Sequence, residues 1–130
     1  MKKLIFLLLA VMCLVACGQT DENRQEAVYM NITAEEAKSI MDSEEGYVIL
    51  DVRTQEEYDQ GHIPGAILIP DYEISAKAET VLTDKNQLIL VYCRSGRRSK
   101  LAAEALAELG YTNIKEFGSI IDWPYEVEKP

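Results

Sequence analysis

A cysteine followed by three arginines is the part of this sequence with the clearest chemical meaning. Cys93 ends the apolar run LILVYC, and Arg94, Arg97 and Arg98 follow it within five residues. The thiolate is the nucleophilic form of a cysteine, and neighbouring cations favour the thiolate over the thiol. The pattern therefore predicts a reactive cysteine in a site that attracts an anion.

The loop RSGRR connects a predicted strand to a predicted helix. In open α/β sheets ligands bind beyond the carboxyl ends of the strands. Gly96 can adopt a positive φ, which lets backbone N–H groups of the loop point at the sulfur, and the helix adds its positive N-terminal end. We predict Cys93 as the nucleophile, and the residues expected to bind its substrate are Arg94, Ser95, Gly96, Arg97 and Arg98.

The alternative is that Cys93 is an inert buried residue and that the arginines are a solvated helix start. Cations at a helix N-terminus are electrostatically unfavourable, so the reactive interpretation is preferred. The single histidine, His62, is expected to be a turn residue whose ring satisfies backbone groups. Two cysteines, Cys17 and Cys93, and one histidine remain once the predicted leader with Cys13 is removed, and Cys17 is expected to carry a lipid. They do not form a zinc pattern, so no metal and no cofactor are expected.

The N-terminus has the features of a bacterial export signal. Lys2 and Lys3 precede the apolar run Leu4 to Val15, which is too short to span a bilayer core of about 30 Å as a helix. The run ends in LVAC, which resembles the lipobox of lipoproteins, where cleavage precedes the cysteine and that cysteine receives the lipid. We therefore predict a signal peptide over 1–16 and a fatty-acyl anchor, such as palmitate, on Cys17; an ordinary secretory signal is the competing interpretation.

Residues 17–28 are expected to be the lipidated cysteine and a polar linker, and residues 29–130 to form one domain outside the cytoplasm, held to a membrane by the N-terminal lipid. Disulfides form in that compartment, so the unpaired Cys93 is expected to be kept for its reactivity. The net charge of −9 argues against nucleic acid as a partner.

Strand-like and helix-like segments alternate along the domain. Strands are predicted at residues 29–32, 47–52, 66–70, 88–93 and 111–117. Capping boxes at Thr33 and Thr54 open two helices, a loop and helix occupy 71–82, and a helix over 98–109 is closed by Gly110. The residues expected to share the apolar face of that last helix are Leu101, Ala102, Ala105, Leu106 and Leu109. The alternation predicts an α/β domain with a mainly parallel sheet and helices on both faces.

Three segments of the chain resemble the signatures of rhodanese-like domains. They are DVRTQEEYDQGHIPGAILIP (residues 51–70), the loop CRSGRRS (residues 93–99) and FGSIIDWP (residues 117–124). Because the three occur in the right order, the resemblance covers about residues 32–127. Ser119 stands where the family usually has a second glycine, and a small change in that turn is expected. The resemblance implies a central five-stranded parallel sheet flanked by helices.

The resemblance also implies sulfur transfer through a persulfide on Cys93. The partners would be a small anionic sulfur donor such as thiosulfate and an acceptor that is cyanide, a thiol or a protein. Asp51 and Arg53 are candidates for a supporting salt bridge, with a purely structural role equally open for Asp51. Glu57 fits a helix cap at least as well as a site residue.

Two other functions are compatible with parts of this pattern. A cysteine-loop phosphatase or arsenate reductase has five residues between cysteine and arginine, whereas four separate Cys93 from Arg98, and the smaller ring suits a sulfane sulfur. A membrane-anchored sulfur carrier or binding module without turnover would keep the same loop.

Overall fold

The computed structural model describes residues 28–130, so the predicted leader, Cys17 and most of the linker lie outside the described residues. The strands are β1 (Met30–Asn31), β2 (Val48–Asp51), β3 (Ile67–Leu68), β4 (Ile89–Cys93) and β5 (Ile114–Ser119). The helices are α1 (Ala34–Ser43), α2 (Gln55–Gln60), α3 (Ile74–Val81) and α4 (Arg97–Glu108), with 3-10 turns at Asp71–Glu73 and Ile120–Asp122. Within residues 28–130, no helix combines the length and apolar character needed to cross a bilayer.

The five strands form one sheet in the order β1-β5-β4-β2-β3, and every pairing is parallel. The predicted α/β fold with a mainly parallel sheet is therefore confirmed. From β2 the chain proceeds to β3 at one edge of the sheet, and from β4 it proceeds in the opposite direction to β5, which lies between β4 and the edge strand β1. The carboxyl ends of β2 and β4 thus adjoin at the switch point where ligands bind in such sheets.

Two apolar cores lie on opposite faces of this sheet. Side chains alternate along β4, whose five residues are all buried, so Val91 and Cys93 face α3 and α4 while Leu90 and Tyr92 face α1. A strand that is covered on both faces must be apolar along its whole length, as LILVYC is. The helices therefore cover both faces, and the Cys93 side chain lies on the face of α3 and α4.

Both predicted capping boxes are present. The side chains of Thr33 and Thr54 accept the backbone N–H of Glu36 and Glu57, whose carboxylates bond back to the cap residues. At the end of α4, Gly110 has φ 95°, as expected of a glycine that follows a helix.

The structure corrects two details of the last helix and strand. Leu101 is 46% exposed, so its predicted place on the apolar face of α4 is wrong. The residues that α4 buries are Ser99, Ala102, Ala103 and Leu106, which follow the helical period on the side opposite Leu101. The strand predicted from residue 111 begins at Ile114, because the Tyr111 N–H donates to the carbonyl of Leu106 and still belongs to the helix end.

Candidate active site

The Cys93 sulfur lies at the carboxyl end of β4, directly before the loop that begins α4. The residue is fully buried and is the one free cysteine among residues 28–130. The backbone N–H of Gly96 donates a hydrogen bond to Sγ at 2.9 Å, and the Ser99 hydroxyl oxygen lies 3.3 Å from Sγ. The sulfur is therefore held by the first turn of the helix, as the sequence predicts.

The conformation of Gly96 creates this contact. Gly96 is the N-terminal cap of α4 and has φ 101° and ψ −15°, in the left-handed region. A Cβ built there would lie 3.8 Å from the Gly118 Cα, which is an ordinary contact. The site thus requires glycine for its backbone conformation and not for lack of space.

The end of β5 supports the same loop. The Ser119 hydroxyl donates to the carbonyl oxygen of Arg94, and the Ile121 N–H reaches that oxygen at 3.5 Å. Ser119 has φ −110°, which any residue adopts, so a second glycine is unnecessary at this position. The preceding Gly118 has φ 83° and makes the turn. Serine therefore fits at position 119 in place of the usual glycine, and its hydroxyl adds a hydrogen bond to the loop.

The three arginines of the loop have different surroundings. Arg94 and Arg97 are exposed, whereas the Arg98 guanidinium forms a bidentate pair with the Glu57 carboxylate, with N–O distances of 2.6 and 2.8 Å. This hydrogen bond is the main reason why the pKa of Arg98 is raised, with the nearby Cys93 sulfur contributing in the same direction. The hydrogen bond from Arg98 is likewise the main reason why the pKa of Glu57 is lowered to about 2.

Asp51 and Arg53 form the predicted salt bridge, with 2.7 Å between Arg53 Nη2 and Asp51 Oδ2, and both residues are buried. Arg53 Nη2 also donates to the Gly61 carbonyl at 2.7 Å, and the Tyr92 hydroxyl donates to Asp51 Oδ2 at 2.7 Å. Burial, followed by the charge of Asp51, raises the pKa of Tyr92. These hydrogen bonds run to Gly61 and, through Tyr92, to the N–H of Ile63, and not to the loop after Cys93. The pair therefore supports the segment that follows α2.

His62 belongs to the same segment. Its ring stacks on Tyr58 with 3.8 Å between centroids, its Nδ1 lies 3.1 Å from the Tyr58 carbonyl, and its Nε2 lies 3.6 Å from a Glu128 carboxylate oxygen. The ring thus contacts a backbone carbonyl, as predicted, but His62 is not a turn residue: its backbone forms an antiparallel bridge with Glu128, and the turn follows at Pro64 and Gly65. In the part of the chain that the structure describes, no group of three or more His, Cys, Asp and Glu side chains is placed to hold a metal ion.

Sequence reasoning did not identify Glu116 as part of the site. Glu116 lies on β5, is 2% exposed, and has its Oε1 2.6 Å from the Ser99 hydroxyl oxygen. Ser99, which the sequence marked only as a helix start, therefore connects Cys93 to a buried carboxylate. The sequence offered one signal, which is an acidic residue between the apolar Ile114 and Phe117 of a predicted strand. In the structure these three residues are buried, and a buried glutamate is uncommon.

An open cleft runs beside the loop on the β5 side, with a volume of about 370 Å³. Its lining includes Ser95 and Gly96 from the loop, Lys100 from α4, and Glu116 and Ser119 from β5. The cleft gives a small solute access to the side of the loop that faces β5.

Comparison with known proteins gives the site a family. The family model of the rhodanese-like domain matches residues 33–123. Thiosulfate sulfurtransferase PspE of Escherichia coli (strain K12) is 44% identical over 73 residues, which are 56% of this chain and 70% of PspE. The putative sulfur carrier protein YrkF of Bacillus subtilis (strain 168) is 38% identical over 98 residues, which are 75% of this chain and 52% of YrkF.

A solved structure shows the same fold. A rhodanese from E. coli that was solved with anions superimposes with a TM-score of 0.61 at 39% identity, covering 65% of this chain and 99% of that one. The family match covers β2 to β5, the loop after Cys93 and the turn at Ser119. The chain therefore belongs to the family of rhodanese-like domains.

Proposed function

We propose that this protein is a sulfurtransferase that carries a sulfane sulfur on Cys93. The observation that supports this function best is the buried Cys93 sulfur, which accepts the Gly96 N–H at 2.9 Å at the N-terminus of α4. A backbone N–H and a helix N-terminus both stabilise a negative charge on sulfur. The N–H therefore acts on the thiolate, and the helix N-terminus also favours the anionic persulfide that replaces it.

The reaction consists of two displacements at sulfur. The Cys93 thiolate attacks the outer sulfur of a donor such as thiosulfate, and the donor's S–S bond breaks with its electron pair leaving on sulfite. An acceptor, which is cyanide, a thiol or a protein thiolate, then attacks the terminal sulfur of the persulfide. The S–S bond to Cys93 breaks and the thiolate is restored.

The charged residues of the site divide this work. Exposed Arg94 and Arg97 increase the local concentration of an anionic donor. Arg98 fixes the start of α4 to α2 through Glu57, which holds the loop in the shape that surrounds the sulfur. Asp51 and Arg53 stabilise the segment after α2, because Arg53 donates a hydrogen bond to the carbonyl oxygen of Gly61.

A mass measurement tests this proposal directly. Incubation of the protein with thiosulfate is expected to add the mass of one sulfur atom at Cys93, and cyanide is expected to remove it as thiocyanate. The Cys93→Ser variant is the control and should take up no sulfur. If no sulfane donor labels Cys93, the proposal is wrong, and hydrolysis of an aryl phosphate would point to the phosphatase instead.

A sulfur carrier without turnover is the second candidate, and the similarity to the putative sulfur carrier protein YrkF favours it. A carrier would accept sulfur on Cys93 but would release it to cyanide or small thiols at a negligible rate. Steady-state thiocyanate formation distinguishes the two, since a carrier gives at most one equivalent per protein.

A further inference from the structure

We propose that Glu116 takes the proton of Cys93 through the hydroxyl of Ser99, so that these three side chains form a proton relay. The inference rests on the proposed function, because it explains how the thiol becomes the thiolate that attacks the donor. Glu116 acts through Ser99, and it is therefore a positioning residue that does not touch the substrate.

The distances support a continuous path. Cys93 Sγ lies 3.3 Å from Ser99 Oγ, and Ser99 Oγ lies 2.6 Å from Glu116 Oε1. The Ser99 hydroxyl is also 3.0 Å from the carbonyl oxygen of Gly96. All three side chains are almost fully buried, at 0%, 0% and 2% exposure. The hydrogen bonds between them therefore lie in the interior of the domain, although Glu116 also borders the cleft beside the loop.

Counting protons shows why the sulfur and the carboxylate are coupled. Ser99 has one hydroxyl proton. With a neutral thiol, Cys93 donates to Ser99, and Ser99 donates to the Glu116 carboxylate. If both end groups were ionised, the sulfur and the carboxylate would compete for that one proton, and a buried charge would lose a hydrogen bond.

Transfer of a single proton along the path removes this conflict. The S–H bond of Cys93 breaks as its proton passes to Ser99 Oγ, while the original hydroxyl proton of Ser99 passes to Glu116 Oε1. The thiolate then accepts a hydrogen bond from Ser99, and the protonated Glu116 donates to Ser99. The number of protons and the net charge of the three groups are unchanged, so no other reactant is needed.

The surroundings of Glu116 favour this role. Glu116 takes no part in the ion pairs that residues 28–130 form, so no cation compensates its charge within salt-bridge distance. Its hydrogen bond with the Ser99 hydroxyl is therefore an important contact of this buried side chain. The other titratable or charged groups near the relay are Tyr29, Arg98, Lys100, Glu104 and Asp122.

The test measures thiolate directly as a function of pH. The ultraviolet absorbance of the thiolate is recorded for the full chain after subtraction of the Cys93→Ser spectrum. In the wild type, internal transfer should give a thiolate fraction that is constant around neutral pH. In Glu116→Gln and in Ser99→Ala, the thiolate can form only by losing its proton to solvent, so its amount should rise roughly tenfold per pH unit.

The sign of the change decides between the relay and a merely structural contact. If Glu116 only adds a fixed negative charge, Glu116→Gln will increase the thiolate at every pH, which overturns the proposal. An unchanged profile in both variants also overturns it. Glu104→Gln removes the same charge from the exposed side of α4 and is the matched control, which should retain the wild-type profile.

A kinetic measurement separates this inference from the proposed function. Below neutral pH, persulfide formation from thiosulfate should be about tenfold to a hundredfold slower in Glu116→Gln and should recover at alkaline pH. The absorbance measurement needs no sulfur donor. If the wild type shows the pH-independent thiolate but takes up no sulfur, only the sulfurtransferase proposal is refuted. If the wild type takes up sulfur and Glu116→Gln forms the persulfide at the same rate, only the relay is refuted.

Discussion

Glu57 connects two parts of the structure through one carboxylate. It completes the capping box that begins α2, and it accepts two hydrogen bonds from Arg98 at the start of α4. The guanidinium of Arg98 is thereby neutralised at short range, while Arg94 and Arg97 remain exposed. At the scale of single residues, the arginine cluster therefore has one structural member and two members that are free to attract an anion.

The pair of Glu57 with Arg98 makes stability depend on pH. Arg98 lowers the pKa of Glu57 from an ordinary value of 4.5 to about 2, so this stabilisation is complete above about pH 4.5 and is lost as the pH falls toward 2. We expect Glu57→Gln to lower the free energy of unfolding at neutral pH by about 1 kcal/mol, since the pair is partly open to solvent. Urea unfolding over a series of pH values measures both effects.

The neighbouring Glu56 provides the control for this measurement. It is an exposed glutamate on the same helix, so Glu56→Gln should leave the decline of stability between pH 4.5 and 2 unchanged. Curves for the wild type and Glu57→Gln that remain parallel through this interval would contradict the assignment.

At the scale of elements, the junction of β4 and α4 depends on Gly96, whose backbone has a left-handed conformation. Gly96 directs its N–H at the Cys93 sulfur and starts the helix in the same conformation. Gly110 ends that helix with nearly the same dihedral, φ 95° against 101°. Both ends of α4 thus need a residue with positive φ, but only Gly96 donates a hydrogen bond to the Cys93 sulfur.

Alanine substitutions at these glycines should separate stability from chemistry. Gly96→Ala and Gly110→Ala are each expected to lower the free energy of unfolding by about 1–2 kcal/mol, because a Cβ is disfavoured at positive φ. Only Gly96→Ala should also slow persulfide formation from thiosulfate, since it displaces the N–H from the sulfur. Equal rates in the two variants would show that the Gly96 N–H does not assist the reaction.

Local sequence signals predicted most of this arrangement. The capping boxes at Thr33 and Thr54, the glycine after α4 and the apolar run of β4 are short-range patterns, and each has the predicted effect. Leu101 was misplaced because it was assigned to the apolar face for its size, whereas the helical period puts it opposite the buried side, where the smaller Ala103 lies.

The parts of the site that were missed depend on contacts between distant segments. Glu116 meets Ser99 across 17 positions of the chain, and Ser119 meets Arg94 across 25. Such pairs are created by strand order and by the irregular register where β5 pairs with β4 between Val91 and Tyr92. Neither feature can be read from residue types and spacing, whereas the nucleophile and its loop are contiguous and could be predicted.

At the scale of the whole molecule, we propose that the protein is held to the outer side of a bacterial membrane by lipid on Cys17. That residue lies outside the described residues, and the support for the anchor is the leader with its LVAC ending. Expression in bacteria with labelled fatty acid should give a labelled protein in the membrane fraction.

The two cysteine variants give this experiment its contrast. Cys17→Ala should lose both the label and the membrane association, whereas Cys93→Ala should keep them. A Cys17→Ala protein that is still labelled would refute the anchor and leave the sulfur chemistry untouched.

The burial of Cys93 also selects reactants by size. A disulfide requires a second Cβ within about 4 Å of the Cys93 Cβ, and the fully buried side chain leaves little room for one. In the proposed sulfur transfer, a persulfide needs only one added atom, which a slender anion can deliver, and its outer sulfur lies about 2 Å beyond Sγ. We therefore expect the burial of Cys93 to hinder bulky oxidants of the thiol, and we expect larger acceptors to react with the added sulfur and not with Sγ.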